Sequence, residues 1–222
     1  MQMTRTQAVS STTKSTTGKS LVSRLIVKIA RLFASPTVRT SLLFGLVAIA
    51  AVYASIAFAP GTIGLLGAAL ALLMMTIAVI DWRSFVIPDR LTIAGLALAL
   101  VHAAVPEAAH EPDAMLRAVA MAAIRGAALA LAFLIIRNVY ARIRGRQGLG
   151  LGDVKLAGVA GAWLGWPIMP IAIELAAFAA LSAYLLRQFV FGRPIRTTNR
   201  VPFGLFFAPA IWICWLLETT FL

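Results

Sequence analysis

Runs of about 20 apolar residues recur along this chain, and they constrain its fold more than any other feature. An α-helix needs about 20 residues to cross the hydrocarbon core of a bilayer. The composition agrees, because 61% of the 222 residues are hydrophobic, only 13% are charged, and the mean hydropathy is +0.91. A water-soluble domain of this size would have too few polar groups to cover its surface. The sequence therefore predicts an all-α protein, a polytopic bundle of transmembrane helices.

The apolar runs divide into six or seven predicted spans. Two runs are short, at about 91–105 and 153–166, and the second of these can be a half-helix or an oblique segment. The longer predicted spans lie at about 41–59, 62–80, 117–136, 168–189 and 203–222. Together they predict a single transmembrane domain over 41–222.

The residues before the first span are polar and basic. Residues 1–19 are rich in Ser, Thr and Lys, and we expect a disordered cytoplasmic tail there. Within 20–40, Arg24, Lys28 and Arg31 recur at helical spacing beside a stripe of leucine and isoleucine. That pattern is typical of a basic amphipathic helix lying on a membrane surface, and a helix packed against the protein fits it equally well.

Lysine and arginine are unevenly distributed among the predicted loops. The net charge is +12 at pH 7, and 18 of the 20 Lys and Arg residues face the cytoplasm if the N-terminus lies inside, counting Lys155 at the edge of a span. The predicted outer loop, 106–116, has three acidic residues and no Lys or Arg. This distribution follows the positive-inside rule and predicts contact with anionic lipid headgroups. The aromatic and basic repeats typical of nucleic-acid binding are absent from the sequence.

The sequence has one cysteine, Cys214, which lies inside an apolar run. A disulfide within the chain is therefore impossible, and the chain has no CxxC pair of the kind that binds zinc. We expect Cys214 to be a small buried apolar residue.

Two aspartates stand at predicted helix ends on the cytoplasmic side. Asp81 opens DWRSFVIPDRLT after the second span, and Asp153 lies in GLGDVKL at the start of the fifth. An aspartate at such a position can simply cap a helix or mark the membrane boundary. However, Pro88 forces a turn after Asp81, and Gly150 and Gly152 allow close backbone approach before Asp153. We therefore expect the two aspartates to meet, although they are far apart in sequence.

Three segments closely resemble the type IV prepilin peptidases, which are intramembrane aspartyl proteases of the GxGD type. They are DWRSFVIPDRLT (81–92), GLGDVKLAG (150–158) and VPFGLFFAPAIWI (201–213), and the resemblance covers roughly 60–222. The last segment departs from the family pattern at Leu205, where proline is usual. The order of the three segments on a polytopic chain makes the resemblance specific.

The resemblance implies a function and a site. It implies an intramembrane aspartyl endopeptidase that removes the basic leader of prepilin-like proteins at the cytoplasmic face of the bacterial inner membrane. Asp81 and Asp153 map onto the catalytic aspartates of the family, and Asp89 onto a turn or helix-capping position. Residues expected to bind substrate or to shape the loops around the pair are Gly150, Gly152, Pro88 and Lys155.

No metal or cofactor is implied by the resemblance, because two carboxylates that share one proton can activate water and polarise a peptide carbonyl. Long members of the family carry a further cytoplasmic domain with two CxxC pairs and N-methyltransferase activity. This sequence has neither cysteine pair, so the resemblance implies the short, peptidase-only form.

Helix dipoles predict different starting roles for the two aspartates. Asp153 lies at a predicted helix N-terminus, which favours the anion, and Asp81 lies at a predicted C-terminus, which favours the neutral acid. Asp153 would then start as the base and Asp81 as the acid. Each dipole contributes only about 0.3–1 kcal/mol, so coupling between the carboxyl groups can reverse the assignment.

Two further features of the spans predict helix packing. Arg125 and Glu174 are charges inside predicted spans, where charge is costly, and we expect them to form a structural ion pair. Gly158, Gly161 and Gly165 recur at helical spacing, so the fifth span should present a face of small residues for close helix contact.

Two other classes of protein fit part of this pattern. A proton- or cation-coupled transporter or channel subunit could use the aspartates as ion sites, although such sites usually lie near the bilayer midplane. A non-enzymatic scaffold of a secretion system is the other alternative. The sequence specifies neither the oligomeric state nor the particular prepilin.

Overall fold

The structure, a computed structural model, describes residues 36–59, 61–106, 112–191 and 202–221. Every regular element in those ranges is an α-helix, so the predicted all-α fold class is confirmed. The helices are α1 (Pro36–Phe58), α2 (Gly61–Ser84), α3 (Asp89–Ala104), α4 (Pro112–Arg144), α5 (Leu151–Trp163), α6 (Ile168–Phe191) and α7 (Phe203–Phe221). The tail expected at 1–19 and most of the amphipathic segment expected at 20–40 lie outside the described residues.

Among the described helices, five are long and apolar enough to cross a membrane. These are α1 from Thr40 onward, α2, α4, α6 up to Leu186, and α7. With 16 and 13 residues, α3 and α5 are shorter than a helix that crosses a bilayer core. The helical membrane bundle is confirmed, and the count of six or seven spans stays a prediction.

The chain divides into two units, Met1–Leu46 and Val47–Leu222. The first unit contributes only the beginning of α1 to the described residues. The second contains the remaining helices and every residue of the candidate site.

Helix α5 lies at the centre of the second unit. It packs against α3, α4 and α7, and nine of its 13 residues are buried. Its contact with α4 is backbone to backbone: a methyl group built on Gly161 would lie 2.5 Å from the carbonyl oxygen of Arg125, and one on Gly126 would lie 2.8 Å from that of Gly158. The close contact expected from the small residues is confirmed at Gly158 and Gly161, and its partner is α4.

Helix α7 joins the remaining helices to this centre. It packs against α2, α5 and α6, and its Trp215 is buried so tightly that a methyl group on Gly67 of α2 would overlap the indole ring, at 1.7 Å. Phe207 of α7 is fully buried and stacks on Phe133 of α4, with the ring centroids 5.8 Å apart. Cys214 is buried, as expected. Since α2 carries Asp81 and α5 carries Asp153, α7 packs against both of the helices that carry the predicted pair of aspartates.

Candidate active site

Asp81 lies in the last turn of α2, and only 5% of the residue is exposed. Its Oδ2 accepts a hydrogen bond of 3.0 Å from the backbone N–H of Leu205, in the first turn of α7. A methyl group built on the neighbouring Gly204 would lie 2.9 Å from the same oxygen. Glycine at position 204 therefore lets the beginning of α7 lie directly against the carboxylate.

Asp153 is the third residue of α5 and is half-buried. Its Oδ2 accepts a hydrogen bond of 3.2 Å from the backbone N–H of Gly150, the residue that precedes the helix. A methyl group on Gly150 would lie 3.1 Å from that oxygen, closer than side chains normally approach. The first glycine of the GxGD motif thus leaves room for the aspartate to bond back to its own helix end.

A connection of four residues, Phe85–Pro88, turns the chain from α2 into α3. Phe85 adopts the left-handed backbone conformation, with φ of 55°, and its N–H donates to the carbonyl oxygen of Asp81 at 2.9 Å. Pro88, with φ of −66°, precedes the first residue of α3. The turn expected from Pro88 is present, and it leaves the side chain of Ile87 buried at the site, with 6% of the residue exposed.

Ile87 lies against two glycines that neighbour the two aspartates. A methyl group on Gly152, next to Asp153, would lie 3.0 Å from Ile87 Cβ. One on Gly204, beside the Asp81 carboxylate, would lie 2.8 Å from Ile87 Cδ1. The structure therefore brings Asp81 and Asp153 to the same end of the bundle, where one isoleucine lies against a glycine beside each of them.

The two carboxylates also interact electrostatically. Asp153 lies outside the five long membrane-spanning helices, and burial raises its pKa from an ordinary value to about 6. The hydrogen bond from Gly150 opposes this rise, and repulsion from the Asp81 carboxylate adds to it. Repulsion between two carboxylates favours retention of a proton, more so where solvent is scarce.

Helix dipoles act in the same direction on both aspartates, which differs from the expectation that they would favour different roles. Asp81 does belong to the C-terminal turn of α2, but its carboxylate lies against backbone N–H groups at the N-terminus of α7. Asp153 likewise lies at the N-terminus of α5. Both carboxylates therefore face a helix end of the kind that favours an anion, and the dipoles do not distinguish base from acid.

Lys155 forms an ion pair with Asp89, the first residue of α3. Both side chains of this pair are exposed to solvent. The pair joins α5 to α3, and Lys155 lies two residues after Asp153.

The structure does not bring Arg125 and Glu174 together, which corrects the expected ion pair. Helix α4 packs on α3 and α5, whereas α6 packs on α7, and Glu174 lies on an exposed part of α6. Arg125 instead donates from Nε to the carbonyl oxygen of Gly161 at 3.3 Å and is attracted electrostatically to Glu218 of α7. The sequence shows Glu218 as an acidic residue within an apolar run, and that was the available signal for this partner.

Glu218 lies at the other end of α5 from Asp153. Its carboxylate accepts the backbone N–H of Gly165 at 3.0 and 3.3 Å, just beyond the end of that helix. With 13 residues, α5 is about 20 Å long, and that length separates Glu218 from the pair of aspartates. His102 of α3 interacts electrostatically with Arg125. Its ring packs at a tilt against Trp163, with the centroids 4.5 Å apart, and accepts a hydrogen bond of 3.2 Å from the indole of Trp215.

The fold and this site define a class: a polytopic helical membrane protein whose α2 and α5 bring two aspartates together at one end of the bundle. Comparison with known proteins then identifies the family. The model of the Type IV leader peptidase family matches residues 68–185, more than half of the chain, and the matched region contains both Asp81 and Asp153. The chain belongs to the Type IV leader peptidase family.

Similar proteins are prepilin leader peptidase/N-methyltransferases from several bacteria. The Aeromonas hydrophila protein is 30% identical over 178 residues, which cover 77% of this chain and 56% of that protein. The Burkholderia pseudomallei (strain 1026b) protein is 34% identical over 68% of this chain and 46% of its own length. The Escherichia coli (strain K12) protein is 32% identical over 56% of this chain and 52% of its own. The chain thus spans about half the length of the relatives it matches, and no solved structure matches it.

Proposed function

We propose that this protein is an aspartic endopeptidase that removes the basic leader from prepilin-like substrates. The observation that carries the proposal is the shared environment of Asp81 and Asp153. Ile87 lies against Gly152, next to Asp153, and against Gly204, beside the Asp81 carboxylate; the two carboxylates repel each other, and both belong to the region that matches the leader peptidase family.

The proposed chemistry needs one proton between two carboxyl groups. The ionised group takes a proton from water as that water attacks the scissile carbonyl, and the protonated group hydrogen-bonds to the carbonyl oxygen. Holding two carboxyl groups close together in a poorly solvated site favours this half-protonated state over two anions. The carboxyl group that took a proton from water can then give that proton to the leaving amine.

Backbone groups hold both carboxylates in place before substrate binds. Asp81 is fixed by the N–H of Leu205 and Asp153 by the N–H of Gly150. We assign Gly150, Gly152 and Pro88 to shaping the loops around the pair. Fixed donors of this kind reduce the reorganisation that the reaction requires.

The proposal places the reaction at the cytoplasmic face of the inner membrane, with the N-terminus inside. The positive-inside distribution of Lys and Arg supports this orientation, and it also supports contact between the basic loops and anionic headgroups. A prepilin leader that stays in the cytoplasm would then meet the aspartates without crossing the bilayer.

Co-expression with a prepilin-like protein tests the proposal. Mass spectrometry of the substrate N-terminus should show leader removal by the unaltered protein and none by Asp81→Asn or Asp153→Asn. Asp113→Asn, an aspartate in the first turn of α4, is the matched control and should cleave normally. Uncleaved substrate with the unaltered protein, or cleavage by both dyad variants, would contradict the peptidase and favour the scaffold or transporter class.

A further inference from the structure

The three motifs at the site meet on one apolar side chain. Ile87 belongs to the IPD segment after α2, Gly152 to the GxGD segment at α5, and Gly204 to the PFG segment at α7. Ile87 is 6% exposed and belongs to the hydrophobic core. It has no polar atom in its side chain, so any role at the site must be steric.

The contact with Gly152 fixes the position of Asp153. A methyl group on Gly152 would approach three Ile87 atoms, Cβ at 3.0 Å, Cγ1 at 3.2 Å and Cδ1 at 3.3 Å. Nothing else lies closer to that position. The backbone next to Asp153 therefore rests on the side chain of Ile87, which limits how closely this segment can approach Ile87.

The contact with Gly204 fixes the other carboxylate. A methyl group there would lie 2.8 Å from Ile87 Cδ1 and 2.9 Å from Asp81 Oδ2. Gly204 precedes Leu205, whose N–H holds Asp81. Ile87 therefore lies against the segment that orients Asp81 as well as the segment that carries Asp153.

We propose that Ile87 is a positioning residue, a spacer whose side chain sets the separation between the Asp81 and Asp153 carboxyl groups. Gly152 and Gly204 are glycines because the spacer occupies the space that a side chain would need. The inference rests on the proposed peptidase function, because the separation matters only if the two groups share a proton.

A spacer differs from an ordinary core residue in what it should change. Loss of core packing lowers the amount of folded enzyme and leaves the pH dependence of that enzyme unaltered. A change in carboxyl separation alters the coupling between the two groups, so the two limbs of the pH–rate profile move relative to each other. Other charges near the pair, Asp89 and Lys155, are unchanged in the variants below.

The first test is the pH profile of kcat/KM for purified enzyme and a prepilin-like substrate in detergent or liposomes. Ile87→Val and Ile87→Ala should let the carboxyl groups approach, strengthen their coupling and move the two limbs apart. Gly152→Ala should push them apart and bring the limbs together. Ile211→Val and Ile211→Ala, at a fully buried isoleucine of α7, are matched controls that should leave the limbs in place.

The second test is rescue. Gly152→Ala should lower kcat/KM about tenfold, since misplacement by 1 Å can cost about 100-fold and this clash requires a smaller shift. Adding Ile87→Ala removes Cγ1 and Cδ1 but keeps Cβ, the nearest of the three atoms at 3.0 Å, so it should recover part of that loss. Gly158→Ala is the control, because its methyl group would make an ordinary contact of 3.5 Å with Ala130.

Gly204→Ala should behave differently, which sharpens the test. Its methyl group would meet the Asp81 carboxylate as well as Ile87, so Ile87→Ala should rescue it much less than it rescues Gly152→Ala. Equal rescue of both, no rescue of either, or pH limbs that stay fixed in all the Ile87 and Gly152 variants would overturn the spacer. The proposed function fails separately, if Asp81→Asn and Asp153→Asn still cleave.

Discussion

The two ends of α5 hold carboxylates in similar ways and in opposite electrostatic settings. Asp153 and Asp81 at one end, and Glu218 at the other, each accept a backbone N–H from a helix end or an interhelical loop. At the first end the nearby charge that acts on Asp153 is another carboxylate, whereas at the second Glu218 is attracted to Arg125.

This difference distinguishes charges that stabilise a membrane bundle from charges that take part in a reaction. Pairing opposite charges reduces the cost of burying each one, so the pair at Glu218 and Arg125 is explained by stability alone. Placing two like charges together increases that cost and is hard to explain by stability. The opposite charges at Glu218 and Arg125 therefore need no chemical role, whereas the two like charges at Asp81 and Asp153 call for one.

Removing one charge at each end of α5 tests this difference most directly. Asp81→Asn and Asp153→Asn should each lower the cleavage rate by about 10³-fold or more, because general acid–base catalysis alone contributes about 10²–10⁴-fold. Glu218→Gln should stay within about threefold of the unaltered enzyme, since it lies about 20 Å from the chemistry. The measurement is single-turnover cleavage with equal amounts of folded protein. A comparable loss in Glu218→Gln would show that the two ends are not functionally distinct.

The pH dependence should report the aspartate end alone. Asp153 has a pKa of about 6, raised from its ordinary value, so its proton is retained up to about that pH and lost above it. If cleavage requires the shared proton, kcat/KM should fall about tenfold per pH unit above this limb. Glu218→Gln should show the same limb. A flat profile between pH 5 and 8 would contradict the shared proton.

Leu205 offers a finer probe of the same end. Proline is usual at this position in the family that the chain resembles, and proline has no N–H to donate. Leu205→Pro removes the bond of 3.0 Å to Asp81 at a helical position where proline is tolerated. The limbs of the profile belong to the coupled pair of carboxyl groups, so losing a donor that favours the ionised form of one of them should move the alkaline limb to higher pH by about one unit. Leu205→Ala keeps the N–H and should leave the limb unchanged; a limb that moves equally in both variants would assign the effect to the side chain.

A substitution at the Glu218 end of α5 should change the stability of the protein and not its cleavage rate. Glu218→Gln removes the charge that attracts Arg125 and weakens the bonds to Gly165, so the free energy of unfolding should fall by about 1 kcal/mol. Equilibrium unfolding in mixed detergent micelles measures it, with Glu174→Gln as the control on an exposed part of α6. Equal losses in both variants would show that Glu218 has no special role.

The contrast between the two ends also explains what the sequence could predict. Asp81 and Asp153 could be found because each lies beside residues that constrain the backbone, Pro88 and the two GxGD glycines. The long helices could be predicted from the apolar runs, because length and hydropathy are also local properties of the sequence. The small-residue face of α5 was visible because helical spacing alone defines it.

The predictions that were wrong depended on which helices become neighbours. Glu174 was the expected partner of Arg125, but helix packing selected Glu218 because α4 and α7 both pack against α5. The N-terminus of α7 beside Asp81 was missed for the same reason, since it comes from a segment more than 120 residues away in sequence. Ile87 belongs to the recognised segment 81–92, but its role was missed because the sequence does not show that Gly152 and Gly204 pack against it.

The smallest expected effect belongs to the ion pair at the edge of the aspartate end. Lys155 and Asp89 are largely exposed, with side-chain exposures of 42% and 66%, so solvent screens their attraction and the pair should contribute about 0.5 kcal/mol or less. Lys155→Met, Asp89→Asn and the double variant form a cycle that measures this coupling in unfolding experiments. Cleavage should change less than twofold in all three. A loss of tenfold or more in Lys155→Met that persists in the double variant would mean that the lysine acts on the substrate or on the aspartates, and the aspartate end would then include a cation after all.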